Sequence, residues 1–540
     1  MEIRTGRPVT LAFNGMVTSP HSLASAAGID ALKAGGSAID AAIATSAVLA
    51  VVYPHMTGIG GDAFWLIHDG KSGEVKYLNG GGRAVGRAQL NWFAAQGLQE
   101  IPLKGIIPAT LTVPGAVASW MEAHTAYGRL PLARVLAGAI DYAGAGFPVT
   151  ERLASAIATA NSELARSQEA AAIFLPAGSP PKVGARLINM DLARTLAAIA
   201  AGGWRGFYEG ATAKEMVRFA RAAGGLFAAA DLRRQQAQWG KPLVGYYRDA
   251  VVSYTPPPTQ GFTVIEMLNL LELNRLHRKR FLGPDHIHLL VQAKQIAYND
   301  RDTLLADPAF VDVPVDLLVS KEYARKRARL LNPRTALAWD RVPSFGSLSG
   351  DTVYLAVVDG EGNAVSLIQS LYGLFGSAVV AGRTGVVLQN RGAYFSLDPD
   401  HPNGLRPGKI PLHTLIASIG KRKGKLWSVL GCMGADGQPQ IHAQVYAAML
   451  DFGLDIQDAL EMPRFLSGRF ALGEPRDMLH MEARFPAATV RSLQQRGHLV
   501  QRWGAWNELA GHAHGILVDG ESGVLRGGAD PRSDGAAIGY

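Results

Sequence analysis

A β-hairpin pattern in the second half of the chain constrains the fold more than any other feature. Residues 352–358 and 364–370 are rich in β-branched and apolar side chains, and a glycine-rich stretch, DGEGN, separates them. Two such runs on either side of a short turn predict paired antiparallel strands, with Thr352 at the start of the first strand. From this point the chain changes from mostly helical to β-rich patterns.

Helical and strand patterns alternate over the rest of the chain. Residues 22–33 carry small and apolar side chains at helical spacing before a glycine pair, which predicts a helix. A second, alanine-rich helix is predicted from Ser37, because Asp40 three residues later completes a pattern like a capping box. Strands are predicted at 64–68, 250–254, 385–389, 415–419, 426–431 and 515–518, and helices over 262–275, around 441–450 and over much of 114–230. This alternation indicates an α/β or α+β fold in which helices cover two sheets.

The composition is typical of a globular enzyme. The 540 residues exceed the length at which one hydrophobic core usually keeps growing, so one layered domain and two lobes are both open. Hydrophobic residues make up 48% and charged residues 18%, a balance that permits a large core. The net charge of +8 lies in short clusters such as 275–280 and 421–425, without the aromatic residues that base stacking needs. No nucleic-acid partner is therefore expected.

Membrane association and export are not expected either. The longest uncharged apolar stretch, 41–52, is too short to span a bilayer. Residues 1–15 lack a basic segment followed by an apolar run of signal-peptide length, so a cytoplasmic location is predicted. Cys432 is the single cysteine, which excludes an intramolecular disulfide and a multi-cysteine metal site.

The glycine-rich stretch 58–63, GIGGDA, has the spacing of a dinucleotide-binding loop. That motif needs a strand before it, a helix after it and an acidic residue about 20 positions later. Here a helical pattern precedes the glycines, a strand pattern follows, and Asn79 stands where the acid is needed. A turn that lets two backbone segments approach closely is the better interpretation.

Thr352 also has a chemical interpretation. The α-amine of an N-terminal threonine accepts the proton of its own hydroxyl, and its pKa of about 7.7 to 8.0 suits proton transfer near neutrality. An internal threonine lacks that amine, so the chain must first be cut between Asp351 and Thr352, where the polar stretch 343–350 and its final Gly350 lead into the strand. The simpler alternative is that Thr352 is only a β-branched strand residue.

Short motifs across the chain resemble those of one enzyme family. The sequences GDT at 350–352, VVD at 357–359 and GNAV at 362–365 resemble the processing site of the γ-glutamyltranspeptidase family of N-terminal-nucleophile hydrolases. Similar landmarks follow in family order over nearly the whole chain, at 35–42, 58–62, 114–115, 256–259, 306–308, 388–390, 434–438 and 530–535.

The resemblance implies an α+β fold with four layers, in which helices lie outside two stacked sheets (αββα). It implies a large subunit of residues 1–351 and a small catalytic subunit of residues 352–540, which stay associated after the precursor is cut. A higher oligomer of this heterodimer is left open.

The resemblance also implies site residues. Thr352 is the implied nucleophile and, through its freed amine, the base, with no metal or organic cofactor and a small-molecule amide as substrate. Ser370 is implied to orient Thr352, and Gly434 and Ala435 to present backbone N–H groups to the oxyanion. Members of the family have glycine at the positions of both Gly434 and Ala435. Ala435 is therefore strained if its φ angle is positive, because alanine has a Cβ atom.

Several substrate-facing positions depart from the glutathione-cleaving members of the family. The early arginine that holds the α-carboxylate is matched here by Gly81, with Arg83 two residues away. The residues that meet the α-ammonium are replaced by Arg391 and Tyr394, and a cation there attracts a carboxylate and repels an ammonium group. The remaining changes are Tyr372 in place of an asparagine, and His413 and Thr414 in place of two serines.

Together these changes predict hydrolysis of a small amide whose acyl group carries a carboxylate but no α-ammonium, as in the oxamate amidohydrolases of the family. The alternatives are a glutathione hydrolase or γ-glutamyltransferase with a rearranged clamp, a glutaryl or cephalosporin-side-chain acylase, and an uncleaved pseudoenzyme that acts as a binding module. Simpler structural roles are also open, with Arg391 as an ion-pair partner of Asp398 and His413 as a hydrogen-bonded interior histidine.

Overall fold

The computed structural model describes residues 5–337, 351–470 and 474–540. The stretch 343–350, predicted to lead into the cleavage site, lies outside these residues. The described strands are β1 Thr10–Ala12, β2 Met16–Ser19, β3 Asp62–His68, β4 Val75–Gly80, β5 Phe147–Pro148, β6 Arg186–Leu187, β7 Gln238–Gly240, β8 Leu243–Tyr247, β9 Ala250–Tyr254, β10 Asp351–Val358, β11 Ala364–Tyr372, β12 Ala417–Arg422, β13 Lys425–Cys432, β14 Phe465–Ser467, β15 Met478–Met481, β16 Leu499–Arg502, β17 Ala513–Val518, β18 Leu525–Ala529 and β19 Ala536–Gly539.

Helices fill most of the sequence between β4 and β7 and between β9 and β10. The described α-helices are α1 Ser22–Lys33, α2 Ala38–Val52, α3 Leu90–Ala95, α4 Ile106–Ala109, α5 Ala116–Tyr127, α6 Leu132–Ala145, α7 Glu151–Thr159, α8 Asn161–Leu164, α9 Gln168–Phe174, α10 Met190–Gly202, α11 Trp204–Tyr208, α12 Ala211–Ala222, α13 Ala229–Arg234, α14 Gly261–Leu273, α15 Pro284–Leu304, α16 Val315–Leu318, α17 Lys321–Arg327, α18 Gln438–Leu450, α19 Ile456–Glu461 and α20 Ala487–Gln495. Within the described ranges, no helix combines the length and apolar character needed to cross a membrane.

Two seven-stranded antiparallel sheets form the centre of the molecule. Sheet I has the order β19-β2-β10-β11-β3-β4-β7, and sheet II has the order β1-β18-β17-β13-β12-β9-β8. The predicted hairpin is confirmed as β10 and β11, with Val353 opposite Gln369 and Val358 opposite Ala364. It lies in the middle of sheet I, so both of its faces are covered.

Side chains of β10 alternate between two hydrophobic cores. Val353, Leu355 and Val357 belong to a core that sheet I shares with helices such as α2, α5 and α6. Tyr354 and Ala356 belong to a second core, which lies between the sheets and includes residues of β13 and β17. A third core joins sheet II to α14, α15 and α18. The chain therefore has the predicted four-layer αββα arrangement of the α+β class.

Several local predictions are confirmed in detail. Helix α1 has the predicted bounds, and the capping box is formed because Ser37 accepts a hydrogen bond from the Asp40 N–H and the Asp40 carboxylate accepts one from the Ser37 N–H. The glycine-rich stretch is a turn between α2 and β3, where a Cβ atom on Gly61 would lie 2.1 Å from the carbonyl oxygen of Ser370. Glycine is needed there because β11 passes so close.

The strand predicted at 385–389 is wrong. This segment makes only isolated bridges, from Val387 to Val380 and from Leu388 to Gly60. Gly385 has a φ of 68°, and Gly382 just before it has a φ of 58°. Left-handed residues at these positions turn the chain away from extended geometry, so no ladder forms.

Candidate active site

The predicted nucleophile Thr352 lies at the first irregularity of the central hairpin. The pairing register of β10 and β11 shifts between Asp351 and Val353, so Thr352 lies opposite two residues, Ser370 and Leu371, that form a bulge in β11. A bulge re-aims the side chain that it contains. Thr352 is 2% exposed and Ser370 is 1% exposed, so both hydroxyl groups lie inside the protein.

The hydroxyl of Ser370 connects Thr352 to the peptide bond before it. Thr352 Oγ1 donates to Ser370 Oγ at 3.1 Å, and Ser370 Oγ donates to the carbonyl oxygen of Asp351 at 2.6 Å. The backbone N–H of Tyr372 donates to the same Ser370 oxygen at 2.8 Å. Ser370 thus uses its one proton on the carbonyl and accepts two hydrogen bonds, which fixes its orientation. The role of Ser370 in orienting Thr352 stays a prediction, which these contacts support.

Gly434 and Ala435 form a strained loop at the end of β13. Gly434 has a φ of 140°, and Ala435 has a φ of 45°. A side chain at positive φ costs about 1–3 kcal/mol, and such residues cluster at functional sites. Both residues line the same cavity as Asp351, with a volume of about 260 Å³. The strain expected for Ala435 is therefore present, and the loop faces the predicted cleavage site across a cavity.

The N–H groups of Gly434 and Ala435 are available to a ligand. Neither donates a hydrogen bond to any residue in the described ranges. The carbonyl groups around them are held instead: Ala435 O accepts from Nε2 of Gln260 at 3.3 Å, and Asp436 O accepts from the Tyr298 hydroxyl. This arrangement, fixed carbonyls with unpaired N–H groups, suits an oxyanion hole.

Gln260 is itself fixed by two further contacts. Its Nε2 also donates to Thr414 O at 2.9 Å, and its Oε1 accepts from Nη1 of Arg301 at 2.8 Å. The same Arg301 nitrogen donates to the Asp436 carboxylate at 3.2 Å. Gln260 and Arg301 are buried. They tie the strained loop to the segment that carries Thr414.

A second group of predicted residues clusters around Arg391. The Arg391 guanidinium lies over the Tyr372 ring at 4.6 Å and the Tyr394 ring at 5.3 Å, and its Nη1 donates to Thr414 Oγ1 at 3.3 Å. We call the residues Arg391, Tyr372, Tyr394, His413, Thr414 and Asp62 the Arg391 pocket. Arg391 is 1% exposed, yet its Nε and Nη2 have no hydrogen-bond partner among the described residues.

Asp62 and His413 form the inner wall of the Arg391 pocket. His413 Nε2 lies 3.4 Å from Asp62 Oδ2, and both side chains are fully buried. Burial raises the pKa of Asp62 to about 7, against the opposing effects of Gln389, Arg391 and two backbone N–H groups. Burial, together with the charge of Arg391, lowers the pKa of His413 well below its usual value. His413 is therefore neutral, and Asp62 titrates near neutrality.

Tyr372 joins the two halves of the site. Its backbone N–H holds Ser370, its ring lies under Arg391, and its φ of 80° is unusual for a side chain this bulky. A loop with three consecutive prolines at 256–258 supports the opposite side, because Pro258 O accepts from the His413 N–H at 2.8 Å. Contacts through Tyr372 and Gln260 therefore link Thr352, Ser370 and the strained loop to the Arg391 pocket.

Comparisons with known proteins agree with this geometry. The family model described as gamma-glutamyltranspeptidase matches residues 24–540. The chain belongs to the γ-glutamyltranspeptidase family. It is 43% identical to the glutathione hydrolase-like YwrD proenzyme of Bacillus subtilis (strain 168), over 97% of this chain and 98% of that protein. It is 39% identical to the oxamate amidohydrolase proenzyme of Klebsiella pneumoniae subsp. pneumoniae, over 98% of each.

Solved structures give the same result. The crystal structure of cephalosporin acylase from Bacillus halodurans matches with a TM-score of 0.91 and 38% identity, over 99% of this chain and 98% of that one. These relatives have different names but act on amide bonds, so this γ-glutamyltranspeptidase-family chain is an amide-hydrolysing enzyme. The pseudoenzyme alternative is thereby set aside.

One predicted substrate residue of this family member lies apart from the others. Arg83 Nη1 donates to Gly408 O at 3.1 Å, and its Nη2 donates to Gln238 at 3.0 Å. It makes no hydrogen bond with Arg391 or the other site residues in the described ranges. The structure therefore does not support Arg83 as the carboxylate clamp, since its guanidinium is already engaged beside β7.

The simpler roles considered for Arg391 and His413 fit this enzyme less well. Arg391 has no ion pair with Asp398 within the described ranges, and the backbone N–H of Asp398 bonds to Ser396 instead. The ring nitrogens of His413 have no hydrogen-bond partner among the described residues. Both side chains are interior but incompletely paired.

Three residues of the site escaped the sequence reasoning. Asp62 lies inside the motif 58–62, Gln260 directly follows the motif 256–259, and Arg301 lies in no motif. Asp62 is a lone acid between glycines and an apolar strand, and Arg301 is a cation on a buried helix. A charged residue in such a setting is the available signal, because burial of an unpaired charge is costly.

Proposed function

We propose that this enzyme cuts itself between Asp351 and Thr352 and then hydrolyses small amides whose acyl group carries a carboxylate but no α-ammonium, with oxamate as the favoured example. Residues 1–351 and 352–540 become the large and small subunits. The observation that carries the substrate class is that the buried Nε and Nη2 of Arg391 have no hydrogen-bond partner in the part of the chain that the structure describes.

Self-processing follows from the contacts of Ser370. Thr352 Oγ attacks the carbonyl carbon of Asp351, whose oxygen Ser370 polarises through the 2.6 Å hydrogen bond. The C–N bond breaks as the Thr352 nitrogen takes a proton, and an ester joins Asp351 to Thr352 Oγ. Water then hydrolyses this ester, which leaves Asp351 as a carboxylate and Thr352 with a free amine and a free hydroxyl.

Substrate hydrolysis uses the groups that processing releases. Thr352 Oγ attacks the substrate amide while its α-amine accepts the hydroxyl proton. The N–H groups of Gly434 and Ala435 stabilise the oxyanion, a contribution of about 3–4 kcal/mol where one such donor is removed from an oxyanion hole. The leaving amine takes the proton from the α-amine, and water hydrolyses the threonyl ester.

Arg391 supports an anionic acyl group on physical grounds. A guanidinium stays charged at all relevant pH values and binds a carboxylate through two parallel N–H groups. Leaving such groups buried without partners costs several kcal/mol, so a ligand that pairs them gains that energy. The resemblance to an oxamate amidohydrolase supports the same substrate class.

A glutathione hydrolase or γ-glutamyltransferase is the second candidate. The Asp436 carboxylate accepts from the Tyr394 hydroxyl at 3.4 Å, so an acid lies beside the Arg391 pocket. With Arg391 on the α-carboxylate and Asp436 on the α-ammonium, a rearranged clamp would hold a γ-glutamyl group. The 43% identity to a glutathione hydrolase-like protein supports this candidate.

Side-by-side kinetics separate the candidates. We expect processed wild type to release ammonia from oxamate with a kcat/KM far above that for glutathione or a glutaryl amide. A strong preference for glutathione would favour the glutathione hydrolase or γ-glutamyltransferase candidate over the oxamate-hydrolysing one. A preference for the glutaryl amide would favour an acylase.

A further inference from the structure

Asp62 has an unusual place for a carboxylic acid. It is the first residue of β3, directly opposite Ser370 of β11, and its side chain is fully buried. Oδ1 accepts from Nε2 of Gln389 at 3.0 Å and from the N–H of Gly115 at 3.1 Å. Oδ2 points to His413 and has no hydrogen bond in the described ranges.

Unpaired polar atoms gather around that oxygen. They belong to fully buried side chains and comprise Asp62 Oδ2, Gln389 Oε1, both ring nitrogens of His413, and Nε and Nη2 of Arg391. A folded core rarely leaves so many polar atoms without partners. Such a cluster is expected where a ligand completes the hydrogen bonding.

We propose that Asp62 is a specificity-determining residue of the Arg391 pocket, and that its carboxyl admits an anionic acyl group when protonated and opposes it when ionised. The inference rests on the proposed function, because it takes the substrate carboxylate to be held by Arg391.

The direction of the effect follows from charge. With Asp62 ionised, the pocket already contains one carboxylate for the single Arg391 cation, and a second carboxylate meets repulsion in a water-poor site. With Asp62 protonated, Arg391 has its full charge for the substrate. Because the pKa of Asp62 is raised to about 7, the ionised form takes over as pH rises through this value.

Several other ionisable groups lie around Asp62, and among them Asp351, across β11, has its pKa raised by burial to about 8. Arg391 stays protonated, and burial keeps His413 neutral by lowering its pKa well below the usual value. Tyr208, which packs behind β3, has its pKa raised further above neutrality by burial. Asp436, near Tyr394 and Arg391, pairs with Arg301. Asp62 and Asp351 both ionise within the tested pH range, and the Asp62→Asn variant distinguishes them because it removes only the ionisation of Asp62.

The test compares oxamate with oxamide, its uncharged diamide analogue, on processed enzyme between pH 5.5 and 9. The titration of the Thr352 amine affects kcat/KM for both substrates equally, so it cancels in the ratio of the two values. For wild type we expect the oxamate-to-oxamide ratio to fall up to about tenfold per pH unit above 7, since one ionisation opposes binding. We expect Asp62→Asn to keep the ratio constant with pH.

Asp307→Asn is a matched control. Asp307 is also buried, but its carboxylate accepts from the Ile410 and Ala309 N–H groups and does not contact Arg391. This variant is expected to keep the wild-type pH profile. A pH-dependent ratio that persists in Asp62→Asn would assign the titration to another group and overturn the proposal.

Wild type alone provides a test if Asp62→Asn does not fold. A strong, pH-independent preference for oxamate would overturn the role of Asp62 and leave the proposed substrate class intact. Equal rates on oxamate and oxamide at every pH would remove the proposed substrate class, and the role of Asp62 with it. The two failures therefore give different results.

Discussion

The hydroxyl groups beside the scissile bond are paired with one another, whereas side chains of the Arg391 pocket keep polar atoms that have no partner among the described residues. The Thr352 and Ser370 hydroxyls and the Asp351 carbonyl form a continuous hydrogen-bonded chain. Arg391, His413 and Asp62 keep unpaired polar atoms although they are just as deeply buried. Within the described ranges, the protein thus completes the hydrogen bonds beside the scissile bond but not those of the Arg391 pocket.

This difference separates two requirements. Self-processing is a reaction of the chain with itself, so its geometry has to be present before any substrate binds. Substrate recognition instead needs polar groups that gain hydrogen-bond partners when the substrate binds. Such groups add to the binding free energy because they lack these partners in the free enzyme.

The largest effect is expected from Arg391→Ala. Removing one member of a buried charge pair typically costs about 2–5 kcal/mol, so kcat/KM for oxamate should fall about thirtyfold to several thousandfold. Oxamide should be much less affected. Arg83→Ala is the control, because Arg83 lies outside the pocket, and it should change neither substrate appreciably. Equal losses on oxamate and oxamide would show that Arg391 holds the fold rather than the anion.

Ser370→Ala is expected to slow self-processing about a hundredfold, because the Asp351 carbonyl loses its polarising donor. The fraction of cut chain over time, read by denaturing electrophoresis, measures this rate. Ser366→Ala is matched, since Ser366 is a buried hydroxyl on the same strand that is paired with Tyr354. If both variants process alike, Ser370 has no special role at the scissile bond.

Gln260→Ala is expected to lower kcat about tenfold for oxamate and oxamide alike, with little change in KM, because Ala435 loses a support while the Arg391 cation remains. Gln444→Ala is the control, since Gln444 is a buried glutamine that donates to Phe465 O away from the site. A change confined to KM would contradict a positioning role for Gln260.

The smallest effect is expected from Ala435→Gly. Glycine removes the strain at a φ of 45°, so thermal unfolding should shift upward by an amount equivalent to about 1 kcal/mol. Ala381→Gly is the comparison, because Ala381 is equally buried but has a φ of −76°. Ala381→Gly should unfold at a lower temperature than wild type. Equal shifts of the unfolding temperature in both variants would contradict backbone strain at Ala435.

Much of the fold was predictable because local patterns and packing agree. The hairpin of β10 and β11 combines β-branched runs with a glycine-rich turn, and α2 combines a capping box with an alanine-rich body. The strand prediction for 385–389 was wrong because the apolar residues of this segment have the pattern of a strand, while Gly382 and Gly385 turn the backbone at positive φ. Apolar character does not by itself distinguish a buried strand from a buried loop.

The site was predictable only where a motif marked it. Thr352, Ser370 and the loop at Gly434 came from the family resemblance, and Arg391 stood out as a departure from it. The roles of Asp62 and Gln260 required coordinates, because their partners are 351 and 175 positions away at His413 and Ala435. Distant pairings of this kind leave no local trace in a single sequence.

The central claim is that the paired chain at Thr352 is built for self-cleavage. The most direct measurement is the denatured intact mass of purified wild type and of Thr352→Ala. We expect wild type to give two fragments divided between Asp351 and Thr352, and the variant to stay a single chain. A wild-type protein that remains whole after prolonged incubation, or a variant that is cut at the same bond, would contradict the account.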